Sequence, residues 1–165
     1  MIDYKQCYDG RPYHNLDHLK QVSDALGSVA QVNARQSLAI VYHDIVCDPT
    51  SKMNEELSAA VASYYHPEHS EFLTYTILAT KSHKSTGERE VDLFLDADMS
   101  ILASSEQDYN NYAKAIRKEY CMYPDDVFVP ARKKFLESFR GFITPEFKVY
   151  EEVALANIER ELRCL

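Results

Sequence analysis

His18, the adjacent pair His43 and Asp44, and Asp98 are the residues whose types and placing could do chemistry in this chain. They fall on three separate segments, each on or beside a stripe of apolar residues at helical spacing, and such stripes face the interior. A single histidine near a core usually just hydrogen-bonds a carbonyl. Two imidazoles and two carboxylates turned inward from three helices are harder to place, because a buried carboxylate must be paired, hydrogen-bonded or metal-bound. Together they make a mixed nitrogen and oxygen donor set, which suits Mn, Fe, Co, Ni or Zn better than an ion that prefers thiolate.

The elements that must position these groups can be read from periodicity. Ser37 to Asp48, SLAIVYHDIVCD, places Leu38, Val41, Tyr42 and Ile45 on one stripe, with Ala39, Ile40 and Val46 around most of the rest. The pattern predicts a central buried helix opened by Asn33 and closed by Pro49-Thr50-Ser51, with His43 and Asp44 inside it. Upstream, Asn15 caps a helix striped by Leu19, Val22, Leu26 and Val29, with His18 at the stripe's edge and Asp17 opposite. His14 falls one turn earlier, at or just outside the helix start. Downstream, Val91, Leu95, Asp98 and Leu102 form a stripe, while Asp96 lies about 200° away with Asp92 and Ser100, a solvated or supporting position.

The remaining segments also read as helices. One is capped by Thr50 or Ser51 and carries Leu57, Ala60, Val61 and Tyr64; another starts at Pro67 and carries Leu73, Ile77 and Thr80. Lys81 to Glu90 is a polar loop. A helix begins at Ser105 and runs towards Tyr120, one spans Pro130 to Arg140 and stops at Gly141, and the last starts at Thr144-Pro145. Residues 1 to 12 show no clear periodicity. The expectation is a single all-α domain over residues 1–165, a helical bundle of about seven or eight helices.

Composition narrows the function. With 165 residues, 45% of them hydrophobic, one sizeable core can close. The net charge of -8 argues against a polyanion such as duplex nucleic acid as the main partner, although a small anion can still find a local basic pocket. No glycine-rich phosphate loop is present. Cys7, Cys47, Cys121 and Cys164 are scattered without a C-x-x-C pair, and the amino terminus lacks a signal-peptide layout, so free thiols in a reducing cytoplasm are expected. The longest apolar run, Leu38 to Tyr42, falls far short of the ~20 residues that cross a bilayer.

The His43-Asp44 doublet, with His18 upstream and Ala97-Asp98 downstream, resembles the H…HD…D signature of the HD superfamily of metal-dependent phosphohydrolases. More narrowly, Arg11-Pro12-Tyr13-His14-Asn15-Leu16-Asp17-His18, Tyr42-His43-Asp44-Ile45, Asn54-Glu55-Glu56, Thr80-Lys81 through His83 and Phe94-Leu95-Asp96-Ala97-Asp98 are similar to a branch of small predicted HD phosphohydrolases. An HD dipeptide alone is common; the set in order, over most of the chain, is specific.

The resemblance implies that His18, His43, Asp44 and Asp98 hold one divalent cation, and it picks Asp98 over Asp96 as the helix phase does. A second metal would call on further histidines, for which His83 is the well-placed candidate. The implied chemistry is hydrolysis of a phosphoester in a small phosphorylated molecule, a nucleotide by analogy of fold, with the metal as Lewis acid. Asp48, Glu55, Lys81 and His83 are candidates to neutralise or protonate the leaving oxygen. Glu55 reads equally as a first-turn acid favoured by the helix dipole, and Lys81 equally as a solvated loop residue. Arg11 and Lys81 could bring positive charge to the substrate, with His14 touching substrate or supporting the metal ligands. Tyr13 and Tyr42 could line the pocket, and Cys47 reads as a buried thiol. Two other readings stand beside this one, a di-iron oxygenase and a metal-stabilised binding or regulatory domain without turnover. Relatives in the branch often carry more sequence ahead of the Tyr-His-Asn stretch, expected to be another helix, so pocket closure and oligomeric state, a homo-oligomer included, stay open.

Overall fold

The computed structural model describes residues 3–165, and among them it is all-helical, with no strand. Ten α-helices run in the order α1 (Tyr4–Tyr8), α2 (Leu16–Val29), α3 (Ala34–Tyr42), α4 (Asn54–Tyr65), α5 (Ser70–Ala79), α6 (Arg89–Asp98), α7 (Glu106–Glu119), α8 (Asp125–Ser138), α9 (Pro145–Lys148) and α10 (Glu151–Cys164). Short 3-10 turns at Pro67–His69 and Met99–Ala103 lead into α5 and out of α6. Eight of the ten helices have at least seven residues, in line with the expected bundle. None of the described helices is long and apolar enough to cross a membrane.

The caps expected from sequence are in place at three of the helices. The Asn15 side chain accepts from Asp17 N and His18 N, which fixes the start of α2 one turn below His18. Asn33 and Gln36 form a reciprocal capping box at α3, and Ser105 caps α7 through Asp108 N.

The element around which the bundle closes is α6. Seven consecutive residues, Val91 to Ala97, are buried in it. Phe94 and Leu95 are inaccessible to solvent, each contributing about 1.5–3 kcal/mol over leaving the side chain in water. On one side α6 packs on α2 and α5, while the Met99–Ala103 turn that continues it packs on α7 and α10. That is why Asp96 and Asp92 are buried rather than solvated: the face opposite the core stripe is covered too. Asp96 accepts from Ile143 N (2.8 Å), Thr144 N (2.7 Å) and Thr144 Oγ1 (2.6 Å), pinning the stretch ahead of α9.

Asp92 does the same for the loop before α6, accepting from Ser85 Oγ, Thr86 N and Thr86 Oγ1 at 2.7–2.8 Å. Burial alone would raise its pKa, but the bonds from Thr86 and Ser85 outweigh it and hold the carboxyl below its ordinary value. A depressed native pKa contributes stability above the unfolded value of about 3.9, and that stability is lost as pH falls through the native one. Asp92→Ala is therefore expected to cost about 1–3 kcal/mol at pH 7 and progressively less below about pH 4, as read by urea unfolding at the two pH values.

Several boundaries differ from the sequence pattern. The central helix ends at Tyr42, with His43 as its C-cap, so His43 and Asp44 stand at its end rather than inside it. The cause is long-range. The Arg11 guanidinium donates to the carbonyls of Asp44 (2.6 Å), Ile45 (2.9 Å) and His14 (3.3 Å), and Ser58 Oγ accepts from Val46 N (3.1 Å). These partners satisfy backbone groups that a continuing helix would have bonded itself. Residues 4–8 form a short helix whose Tyr8 hydroxyl donates to Val41 O.

Helix α4 starts at Asn54 behind Met53, because Thr50 and Ser51 are occupied in tight turns with Asp48 and Met53. Helix α8 begins at Asp125 with Pro130 inside it, where the proline forgoes one backbone hydrogen bond. The final segment is broken at Val149–Tyr150 into α9 and α10.

Candidate metal centre

His18 on the first turns of α2, His43 at the end of α3 and Asp98 at the end of α6 bring their ligand atoms within 4.8 Å of one another, and Asp44, next to His43, lies against the two histidines. His18 Nε2 and His43 Nε2 are 3.1 Å apart. Asp44 Oδ2 lies 3.0 Å from His43 Nε2 and 3.5 Å from His18 Nε2; Asp98 Oδ1 lies 3.2 Å from His18 Nε2 and 3.5 Å from His43 Nε2. Donors sharing one ion at bonds of about 2.1 Å stand about 3.0–3.4 Å from one another, so the spacing of His18, His43 and Asp98 suits a common cation, with Asp44 at the same range from the two histidines.

The chemistry of the donor set points the same way. His43 Nδ1 is 2.9 Å from Ile40 O and donates to it, which leaves the Nε2 lone pair facing the other donors. Both rings are buried, and two nitrogens and two carboxylate oxygens crowd together with nothing but their own protons to hold them. His18 differs from His43 here: its Nδ1, the ring nitrogen not facing the cluster, is buried without a hydrogen-bond partner. Burial would push the His43 ring towards neutrality, but Asp44 and Asp98 outweigh it and hold its pKa well above the ordinary histidine value. Burial likewise opposes ionisation of Asp44 and Asp98, and the histidines, His43 foremost, draw both well below the ordinary carboxylate range. A divalent cation supplies that same positive charge without protons, as ligand deprotonation on metal binding requires.

His18, Asp44 and Asp98 line a cleft of about 420 Å³, while the buried His43 does not reach its surface. Its lining mixes polar groups, among them Tyr13, His14, Glu55, Lys81 and His83, with apolar and aromatic ones such as Met99, Ile101, Ile116, Phe128, Phe135 and Tyr112. His83 Nε2 is 2.9 Å from Asp98 Oδ2. Its backbone has φ 47°, the left-handed region that a non-glycine residue seldom adopts, and this turn after α5 brings the ring back to Asp98. Lys81 Nζ sits at the rim, bonded to Glu56 Oε1 (2.6 Å) and Lys52 O (3.0 Å) and 3.6 Å from Glu55 Oε2.

Other expected residues lie elsewhere. Arg11 is taken by the three carbonyls described above and does not line the cleft, so it shapes the centre through the backbone instead of meeting substrate. Asp48 is exposed and turns back on Thr50, outside the cleft lining. Tyr42 is buried against His66 rather than against the cleft. Cys47 approaches Glu119 Oε1 at 3.9 Å.

Two further charged groups belong to the cleft or its surroundings beyond those expected from the sequence. Glu119, at the end of α7, pairs with His14; Arg132 of α8 lines the cleft while paired with Glu161 of α10. Both carry the signal that exposed Asp98, a charged residue continuing an apolar stripe. Glu119 follows Tyr112 and Ile116 at helical spacing, and Arg132 follows Phe128. Comparison with family models, with curated proteins and with solved structures yields no match to this chain.

Proposed function

We propose that this chain is a metal-dependent phosphohydrolase of the HD type, acting on a small phosphorylated molecule, with a nucleotide as the preferred class. The observation that supports it is the clustering of His18, His43 and Asp98, with Asp44 against both histidines, beside a cleft wide enough for such a molecule. These four residues would hold one divalent cation, which supplies Lewis acidity and lowers the pKa of water towards ~7.

The chain's own groups divide the remaining work. Lys81 brings positive charge to the rim for a phosphoryl group. His83, bonded to Asp98, and Glu55, beside Lys81, are placed to give or take a proton at the leaving oxygen. The aromatic and apolar residues of the lining suit a flat, weakly polar body such as a base. Duplex nucleic acid does not fit a cleft of this size or a chain of this charge.

The test is elemental analysis of protein purified without chelator or tag-derived nickel, followed by a hydrolysis screen over nucleoside mono- and triphosphates and sugar phosphates. About one Mn, Fe, Co, Ni or Zn per chain with phosphate release is expected. Two irons per chain would move the assignment to an oxygenase using His83 or His14. Metal without hydrolysis of any substrate would leave a metal-stabilised binding domain.

A further inference from the structure

We propose that Glu119 is a positioning residue of this centre, fixing the His14 ring so that Nε2 faces the space beside Asp44 where a phosphoryl oxygen of the substrate is received; the inference rests on the phosphohydrolase reading above. Glu119 is 7% exposed, and burying a carboxylate is unfavourable unless its oxygens are engaged. Its position at the last residue of α7 works against the helix dipole, which favours cations there. Neither feature helps α7 itself.

The bonds of Glu119 converge on one short stretch far away in sequence. Oε2 accepts from Tyr13 N (3.0 Å) and His14 N (3.1 Å), and Oε1 pairs with His14 Nδ1. The carboxylate thus holds both the backbone that carries the ring and the near nitrogen of the ring. From the other side Arg11 binds His14 O, and the ring is wedged edge-on between Tyr13 and His18, at centroid distances of 4.9 and 5.6 Å.

With Nδ1 engaged, Nε2 is the ring atom left to act. It lies 4.0 Å from Asp44 Oδ2, beyond a direct hydrogen bond but matched to one oxygen atom lying near both Asp44 and the ring. His14 lines the cleft, so that oxygen can belong to a substrate. An anchor that serves only the loop would need the two backbone bonds and not the third.

The experiment titrates inorganic phosphate into the Co2+-loaded protein by calorimetry, for the parent, Glu119→Gln, His14→Ala and the double variant. Each single variant is expected to weaken phosphate binding by about 10- to 100-fold, the worth of one charge-assisted hydrogen bond, with Co2+ affinity unchanged. In the His14→Ala background, Glu119→Gln is expected to add nothing, because it acts through that ring. Unchanged phosphate affinity in both single variants, whatever their thermal stability, would overturn the proposal. So would a fall in Co2+ affinity, which would make His14 a ligand, or a thiolate-to-cobalt absorption band lost in Cys47→Ser, which would put an ion on Cys47 and Glu119. A parent that takes up Co2+ but no phosphate would remove the phosphohydrolase reading and this inference with it.

Discussion

Asp44→Asn is expected to lower the affinity of the centre for its cation by at least about 100-fold, leaving the purified chain nearly metal-free, and Asp98→Asn is expected to do the same. The asparagine keeps the volume of the side chain and leaves the Asp44 backbone carbonyl with Arg11, so the loss isolates the anionic oxygen. Removing a partner that merely orients a ligand typically costs 10–100-fold, and a direct donor costs no less. Each aspartate oxygen lies within 3.0–3.5 Å of both histidine nitrogens, so neither can be replaced by a neighbour without moving a helix. Elemental analysis of the variants beside the parent reads the result. Asp96→Ala is the control on the same helix: its metal content should stay at the parental level, while stability falls by about 1–3 kcal/mol for each donor of Ile143 and Thr144 left unpartnered. Full metal in both Asp44→Asn and Asp98→Asn would abolish the four-donor centre.

A second large effect on stability is expected from Glu161→Leu. Arg132 and Glu161 are about nine-tenths buried and form a forked pair, with Nε to Oε1 at 2.8 Å and Nη2 to Oε2 at 3.1 Å. Arg132 also donates to the Tyr112 hydroxyl (3.0 Å), and the Tyr109 hydroxyl donates to Glu161 (2.6 Å), so the pair ties α8 and α10 to α7 behind the cleft. Removing the carboxylate leaves a guanidinium buried without its counter-charge, a loss of about 3–5 kcal/mol, or roughly 6–20 °C in melting temperature. The double variant Arg132→Met with Glu161→Leu is expected to be more stable than Glu161→Leu alone, because no charge is then stranded. Denaturant unfolding of the three chains decides it. A Glu161→Leu chain within about 1 kcal/mol of the parent would show that water reaches the pair.

The helical class and most of the capped starts were legible because they depend on neighbours in sequence: Asn15, Asn33 and Ser105 meet the amides two or three residues on. The convergence of His18, His43, Asp44 and Asp98 was legible for a related reason. Helix phase decides which side chains turn inward, and it separated Asp98 from Asp96 correctly as regards the cluster. Phase says nothing about what covers the other side, however, so it left Asp96 open between a solvated and a supporting position, where residues 143–144 in fact close over it. The length of α3 was misjudged on similar grounds. Its apolar pattern runs on past Asp44, and what stops the helix is Arg11, a residue 33 positions away. Glu119 shows the same limit more strongly, since its partner lies 105 residues off and no local pattern connects them.

The Arg11 clamp also bears on the order of events as the chain folds. The loop that carries Arg11 precedes α2, yet the carbonyls it gathers lie at positions 14, 44 and 45, so the clamp closes only after α2 and α3 have come together. Until then those carbonyls belong to water, and the apolar run beyond Tyr42 is free to wind on as helix. Contacts between distant stretches of chain form late, because the entropy of closing the intervening loop comes before any return. The turn that sets His43 and Asp44 side by side towards their partners thus depends on tertiary contacts that no local stretch of the chain supplies.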